Sequence, residues 1–265
     1  MIIAQISDPH ITEADNHTAA GLRAAVDHLL ALPARPDLVV ITGDCTNDGR
    51  PAQYAHLREL LRPLPMPVYV ITGNHDNRAE LLATFGEQGT SPLAGFAQYV
   101  VDAGPLRLVA LDTHVPGGDE GALCAERLAW LEARLAEAPE RPTLILLHHP
   151  PVRTGLAVLD RIGLVDADAF GAVVARHPQV ERILAGHLHI ALVQRFAGTL
   201  VAACPATAHT MLPDLSQPER LAVLMEPPAC LLHVWGERGG LQTYTSLIGD
   251  HGPTVELHDG QSWRS

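Results

Sequence analysis

Five short apolar runs along this chain each stop on residues of metal-ligand type, and that recurrence narrows the folds open to it. Ile2-Ile3-Ala4-Gln5-Ile6 leads into Asp8-Pro9-His10, and Leu38-Val39-Val40-Ile41 into Gly43-Asp44. Pro67-Val68-Tyr69-Val70-Ile71 leads into Gly73-Asn74-His75-Asp76. Leu144-Ile145-Leu146-Leu147 stops at His148-His149-Pro150, and the run from Val180 to Ala185 stops at Gly186-His187-Leu188-His189. Such runs are the pattern of strands in a buried sheet, and chemistry collects where those strands end. Between them, helical spacing appears at Leu22, Val26, Leu29 and Leu30, at Tyr54, Leu57 and Leu61, and at Leu128, Leu131 and Leu135. The expected helices are Thr18 to Leu32, Pro51 to Leu61, Leu123 to Ala138, and Asp166 to His177 with Asp166 or Asp168 as cap. A short helix is expected from Asn77 to Phe85, before a Gly/Ser/Pro-rich loop near the mouth of the site. Alternation of this kind predicts an α/β chain.

The segments 190–196, 200–203, 221–225, 230–235 and 241–248 read as strands without intervening helices, predicting a mostly antiparallel second sheet or edge. No composition break divides the chain, so residues 1–250 are expected to form a single domain and 251–265 a polar tail. With 265 residues, about half of them apolar, a large core can form. The net charge of −12, with no Lys/Arg block, disfavours a nucleic-acid polymer as partner. Four scattered cysteines (Cys45, Cys124, Cys204, Cys230) argue against a disulfide framework and for a reducing, cytoplasmic compartment. Met1 runs straight into a strand and no apolar stretch approaches ~18 residues, so neither a signal peptide nor a membrane span is expected.

The chemistry suggested by the strand ends is metal binding. Asp8-x-His10 places two ligands on one side of an extended segment, and His187-Leu188-His189 repeats that spacing with two imidazoles. Taken alone, Asp8 reads equally well as a turn cap beside an incidental histidine. Gly43 lets the backbone turn sharply, so that the two oxygens of Asp44 can each meet a different cation, although Gly-Asp is also an ordinary turn pair. Adjacent strand residues face opposite ways, so one of His148 and His149 is expected to reach a metal. Asp112-Thr113-His114 has the same spacing as Asp8-Pro9-His10 and is read as structural. His56, on the second helix, is expected to be solvated.

In order, the chain reads D-x-H, G-D-x-x-N, G-N-H-D, H-H-P-P and G-H-x-H over residues 8–189. This resembles the calcineurin-like metallophosphoesterase superfamily, with five short motifs in the family's sequence order. The resemblance implies a four-layer αββα sandwich of two mixed β-sheets flanked by helices. It also implies two transition-metal ions (Mn2+, Fe2+/Fe3+ or Zn2+), the first held by Asp8, His10, His189 and a bridging Asp44. Asn74, His148 and His187 would complete the second. His75 would be the catalytic acid with Asp76 orienting it, while Asn74, His75 and His209 would meet substrate.

Purple acid phosphatases carry Tyr where this chain has Asn47, and protein Ser/Thr phosphatases read G-N-H-E where it has Gly73-Asn74-His75-Asp76. The segment G-D-x-x-N-x-G-x-P-x-x-Y through Tyr54, and Pro205-Ala206-Thr207-Ala208-His209, look most like the bacterial class III cyclic-nucleotide phosphodiesterases and glycerophosphodiesterases. By that resemblance the chain is expected to hydrolyse small phosphodiesters, cyclic nucleotides first, by in-line attack of a metal-bridging hydroxide, and to form a homodimer or larger assembly. The alternatives are a glycerophosphodiesterase, phosphomonoesterase or pyrophosphatase using the same site, or a non-catalytic scaffold; none of the seven ligands is missing, which counts against the last.

Overall fold

A computed structural model describes residues 1–264 apart from 87, 237, 254 and 259, and in it the apolar runs are parallel strands. β1 (Ile2–Ile6), β2 (Leu38–Ile41) and β3 (Val68–Val70) lie parallel, connected by α1 (His17–Ala31) and α2 (Pro51–Leu61). After α3 (Arg78–Phe85), the hairpin of β4 (Tyr99–Ala103) and β5 (Leu106–Ala110) opens a second sheet. That sheet continues through α4 (Ala125–Ala136) to β6 (Thr143–Leu146), then through α5 (Ala157–Arg161) and α6 (Ala167–Val174) to β7 (Val180–Ala185). Next come a hairpin of β8 (Leu192–Phe196) and β9 (Thr199–Ala203), a ribbon of β10 (Thr210–Met211) and β11 (Val223–Leu224), and a hairpin of β12 (Ala229–Gly236) and β13 (Gly240–Leu247). The strand orders are β13-β12-β1-β2-β3 and β4-β5-β6-β7-β9-β8.

Alternation along each strand sorts its side chains between layers. Ala4 and Ile6 of β1 pack with Val39, Ile41, Leu22 and Leu57 beneath α1 and α2. Ile3 faces the other way, joining Leu38, Val40, Leu108, Leu144 and Leu184 between the sheets. Ile145 and Ile183 meet Leu131 of α4 and Phe170 of α6 on the far side. Three apolar layers thus hold helix, sheet, sheet and helix together, the αββα sandwich expected. Both sheets are covered on both faces, which is why the strands read as continuous apolar runs.

Local signals set the helix ends. The Asn16 side chain accepts from the Thr18 and Ala19 N–H groups, so α1 begins one residue earlier than expected. Pro51 opens α2, where the missing N–H costs nothing. Asp166 precedes α6 in a left-handed conformation without a capping bond, and the helix is shorter than its apolar pattern suggested. α5 carried too few periodic residues to be foreseen. His56 is only half-exposed, because its Nδ1 lies 2.8 Å from the Thr12 carbonyl. The late strands do not form a sheet of their own: β8 and β9 extend one sheet through a parallel β7–β9 pair, while β12 and β13 extend the other. The 221–225 segment shrinks to Val223–Leu224, paired in the separate ribbon.

Candidate metal centre

The parallel strands of both sheets end on one side of the sandwich, and the loops leaving them converge there. Asp8 and His10 follow β1, Asp44 follows β2, Asn74 to Asp76 follow β3, His148 follows β6, and His187 and His189 follow β7. Asp8, His10, Asp44, His187 and His189 all have positive φ, between 45° and 69°. A left-handed residue with a Cβ costs about 1–2 kcal/mol, so five of them concentrate strain at these loops. The extended alternation expected for Asp8-x-His10 and His187-x-His189 is therefore not what brings each pair together. Alternating left-handed turns do so instead. Gly43 has φ of +90°, and a Cβ there would lie 2.4 Å from Nδ1 of His148, so the turn before Asp44 requires glycine.

Asp8, His10, Asp44 and His189 each offer a ligand atom, all within 4.8 Å of one another and all buried. His148, His149 and His187 form a second such group. Asp44 lies between them, with Oδ2 3.5 Å from Nε2 of His10 and 3.4 Å from Nε2 of His148. The amide oxygen of Asn74 lies 3.1 Å from Nε2 of His148 and 3.2 Å from Nδ1 of His187. Nε2 of His10 and Nε2 of His189 face each other at 3.2 Å. His149 is turned away: its ring nitrogens meet the Thr113 hydroxyl at 2.8 Å and the Asp119 carbonyl at 3.1 Å.

Burial pushes His10 and His187 down to about 3 and His189 down to about 4, so these rings are neutral and keep a lone pair. His148 behaves differently. Burial opposes its protonation, but the charge and hydrogen bond of Asp44 raise it to about 9. Asp44 is held well below the carboxylate range by His148 despite its own burial. Asp8 is pushed up to about 7 by burial, with Asp44 adding to the rise. Buried lone pairs and two adjacent carboxylates crowded together without cations are costly, and dications relieve both penalties. The donor set of nitrogen and oxygen atoms fits two such ions.

His75 is exposed beside this cluster, its ring 4.7 Å from that of His10, and its backbone N–H donates to Oδ1 of Asp44 at 3.0 Å. Its ring is oriented by the Asn47 carbonyl, 2.8 Å from Nδ1, and not by Asp76 as expected. Asp76 holds the loop instead. Its Oδ1 accepts from the Thr46 N–H and hydroxyl and from the Tyr54 hydroxyl, and its Oδ2 from the N–H groups of Cys45 and Gly73. Sequence reasoning passed over Asn47 because a backbone carbonyl leaves no mark in side-chain type. Tyr54 was visible as a buried helix residue, but its hydroxyl contact was not. His209 is half-buried, 4.6 Å from the His189 ring, and its carbonyl lies 3.2 Å from Nδ1 of His189. Asp112 is a structural hub, accepting from Thr72, Ala97, His114 N–H and Arg78.

Five strand ends, two nitrogen-rich clusters and a shared carboxylate define a binuclear metallohydrolase site. The chain belongs to the calcineurin-like phosphoesterase family, whose sequence model matches residues 1–191. Among curated proteins it is 33% identical over 258 residues to a probable glycerophosphodiester phosphodiesterase GpdQ of Arcobacter nitrofigilis, covering 94% of each chain. It is 34% identical over 220 residues to the 3′,5′-cyclic adenosine monophosphate phosphodiesterase CpdA of Escherichia coli, covering 81% of this chain and 78% of that one. A dimetal phosphatase of Danio rerio shares the fold with a TM-score of 0.66 at 19% identity, covering 94% of this chain and 99% of the other.

Proposed function

We propose that this chain is a binuclear-metal phosphodiesterase that hydrolyses small phosphodiesters, cyclic nucleotides foremost. The observation that supports this best is the place of Asp44 Oδ2, within 3.5 Å of an imidazole nitrogen from each cluster. Asp8, His10, Asp44 and His189 would hold one ion, and Asp44, Asn74, His148 and His187 the other; manganese, iron and zinc all suit these ligands. Bound ions of this kind supply Lewis acidity and water activated near neutral pH. The remaining work falls to the chain. A cavity of about 750 Å³ lined by Asn74, His75, Asn47, Leu82 and His114 receives the ester group. The Asn47 carbonyl accepts only, so it fixes a proton on Nδ1 of His75. The ring so held is placed to donate a proton or hydrogen bond to the departing alkoxide, a contribution of typically ~10²–10⁴-fold. His209 borders the substrate on the His189 side.

Residues 1–250 act as one catalytic unit ahead of a polar tail, in a cytoplasmic homodimer or larger homo-oligomer. Among the described residues no helix is long and apolar enough to cross a membrane, in keeping with a small dissolved substrate. Glycerophosphodiesters are the second reading, favoured by likeness over 94% of the length of the GpdQ relative. Protein stripped of metal and reloaded with manganese should hydrolyse bis(p-nitrophenyl) phosphate; absence of turnover with manganese, iron, zinc and cobalt alike refutes the proposal. Relative rates on cyclic nucleotides, glycerophosphodiesters and monoesters decide between the two readings.

A further inference from the structure

Through the apolar layer between the sheets runs a polar thread that leads away from the metal centre. Ser7, Thr42, Gln5 and His233 are all fully buried on it. Gln5 takes the inward position two residues after Ile3, where alternation calls for an aliphatic side chain. A fully buried glutamine paired to a fully buried histidine is costly unless every polar atom is satisfied.

Two groups of fixed character set the direction of every bond in the thread. The Ala185 carbonyl can only accept, so the Gln5 side-chain atom 2.9 Å from it is the amide nitrogen, which also donates to the Thr42 hydroxyl at 2.9 Å. The Gln5 oxygen therefore faces His233, whose Nε2 at 3.0 Å must carry the proton. Burial keeps His233 neutral, so its Nδ1 accepts from the Thr243 hydroxyl at 2.9 Å. The Thr243 oxygen in turn accepts from the Arg182 guanidinium, which can only donate. At the other end the Thr42 hydroxyl donates to Ser7 at 2.7 Å, and the Ser7 hydroxyl donates to the Thr42 carbonyl at 3.4 Å, the same carbonyl that lies 2.8 Å from Nδ1 of His148. From Arg182 to Ser7 the donors all point toward the metal centre.

Gly186 packs closely on this end of the thread. A Cβ there would lie 2.3 Å from the Ser7 hydroxyl oxygen and 3.0 Å from Oδ2 of Asp8, so these two oxygens sit side by side against its backbone. Oδ1 of Asp8 lies 3.5 Å from Nε2 of His189. Both Asp8 oxygens also lie within reach of the His187 backbone N–H, at 3.0 and 3.2 Å, so the chain that follows Ala185 is what holds the carboxylate.

We infer that Arg182, Thr243, His233, Gln5, Thr42 and Ser7 form a polarised hydrogen-bond relay that steadies the strand ends carrying Asp8, His148 and His187 for their ions, making His233 and Thr243 distant positioning residues. The inference rests on the metal-centre reading above. Bonds aligned head to tail strengthen one another, and groups behind a metal ligand tune how firmly it binds. The Gln5 amide carries the effect to the other sheet as well, because Ala185 directly precedes Gly186 and His187.

Thr243→Val keeps the β-branched shape of a strand residue and deletes only the hydroxyl. Mn2+ binding, measured by competition with a chelator, should weaken about 3–10-fold in Thr243→Val and stay within about 2-fold of wild type in Thr243→Ser. Arg182→Met, at the start of the relay, should weaken it in the same direction. The urea midpoint of metal-free protein serves as the structural readout, and the absorption spectrum of the Co2+ form should change in Thr243→Val. Unchanged Mn2+ affinity in both Thr243→Val and Arg182→Met, or loss matched in Thr243→Ser, overturns the relay. A wild-type chain that binds no Mn2+ overturns the metal centre itself, a distinct result.

Discussion

Tyr54→Phe removes a single oxygen and tests how the catalytic loop is held. The ring is fully buried, and phenylalanine fills the same space. The hydroxyl donates to Oδ1 of Asp76 at 2.9 Å and accepts from the Asn77 N–H at 2.8 Å. A bond to a charged acceptor contributes about 1.5–3 kcal/mol, and a buried N–H left alone costs about 1–3 kcal/mol. Asp76 retains four other donors, so the lower half of each range applies and the sum is about 3 kcal/mol. With an m-value of ~3 kcal/mol/M for a chain of this size, the urea midpoint should fall by ~1 M. Far-ultraviolet circular dichroism on metal-free protein reads that transition without interference from ion binding. Turnover should also drop, because Asn74 and His75 ride on the same loop. A midpoint shift below ~0.2 M would show that the hydroxyl does not hold the loop.

Other perturbations separate the remaining roles. His75→Ala should lower turnover ~10²–10⁴-fold while metal analysis still finds two ions, whereas Asp44→Ala should lose metal; a His75→Ala protein emptied of metal contradicts the assignment. Arg78→Met leaves Asp112 buried without its guanidinium and should destabilise the fold by ~3–5 kcal/mol, read as a urea midpoint. His233 is pushed down to about 3 by burial, with Arg182 adding to the fall, against ~6.5 in an unfolded chain. Because the folded value is depressed, its contribution is intact above pH ~6.5 and is lost as pH falls toward ~3, at ~1.4 kcal/mol per unit. Midpoints of metal-free wild type and His233→Gln should therefore converge as the pH drops, and parallel curves would count against a neutral buried ring.

The five site-bearing strands could be read from sequence because burial on both faces leaves an unbroken apolar run, and that pattern survives without tertiary knowledge. The gathering of metal-ligand residue types followed from their places at strand ends, while the full set of Asp8, His10, Asp44, Asn74, His148, His187 and His189, with His148 chosen over His149, came from the family resemblance. Their backbone conformation did not, since left-handed turns at non-glycine residues go against local preference and are imposed by the assembled fold. The role given to Asp76 failed for a similar reason. A carboxylate next to His75 in sequence looks like its partner, yet it points back into the loop toward Thr46 and Tyr54. The division of the late strands between two sheets depends on pairings over long sequence separations, such as Ile2 with Val234, which composition cannot reveal. Gln5 and His233 lay unnoticed in apolar runs because each becomes meaningful only through the other.

Asp8, His10, Asp44 and Asn74 extend from one sheet, and His148, His187 and His189 from the other. Ions held there would act as clasps across the seam of the sandwich. Parting the sheets at that end must release metal, so amide protons of β1 and β7 should exchange with solvent more slowly once ions are bound. Loading and rigidity then rise together, and the same clasps that prepare the chemistry lengthen the life of the folded chain.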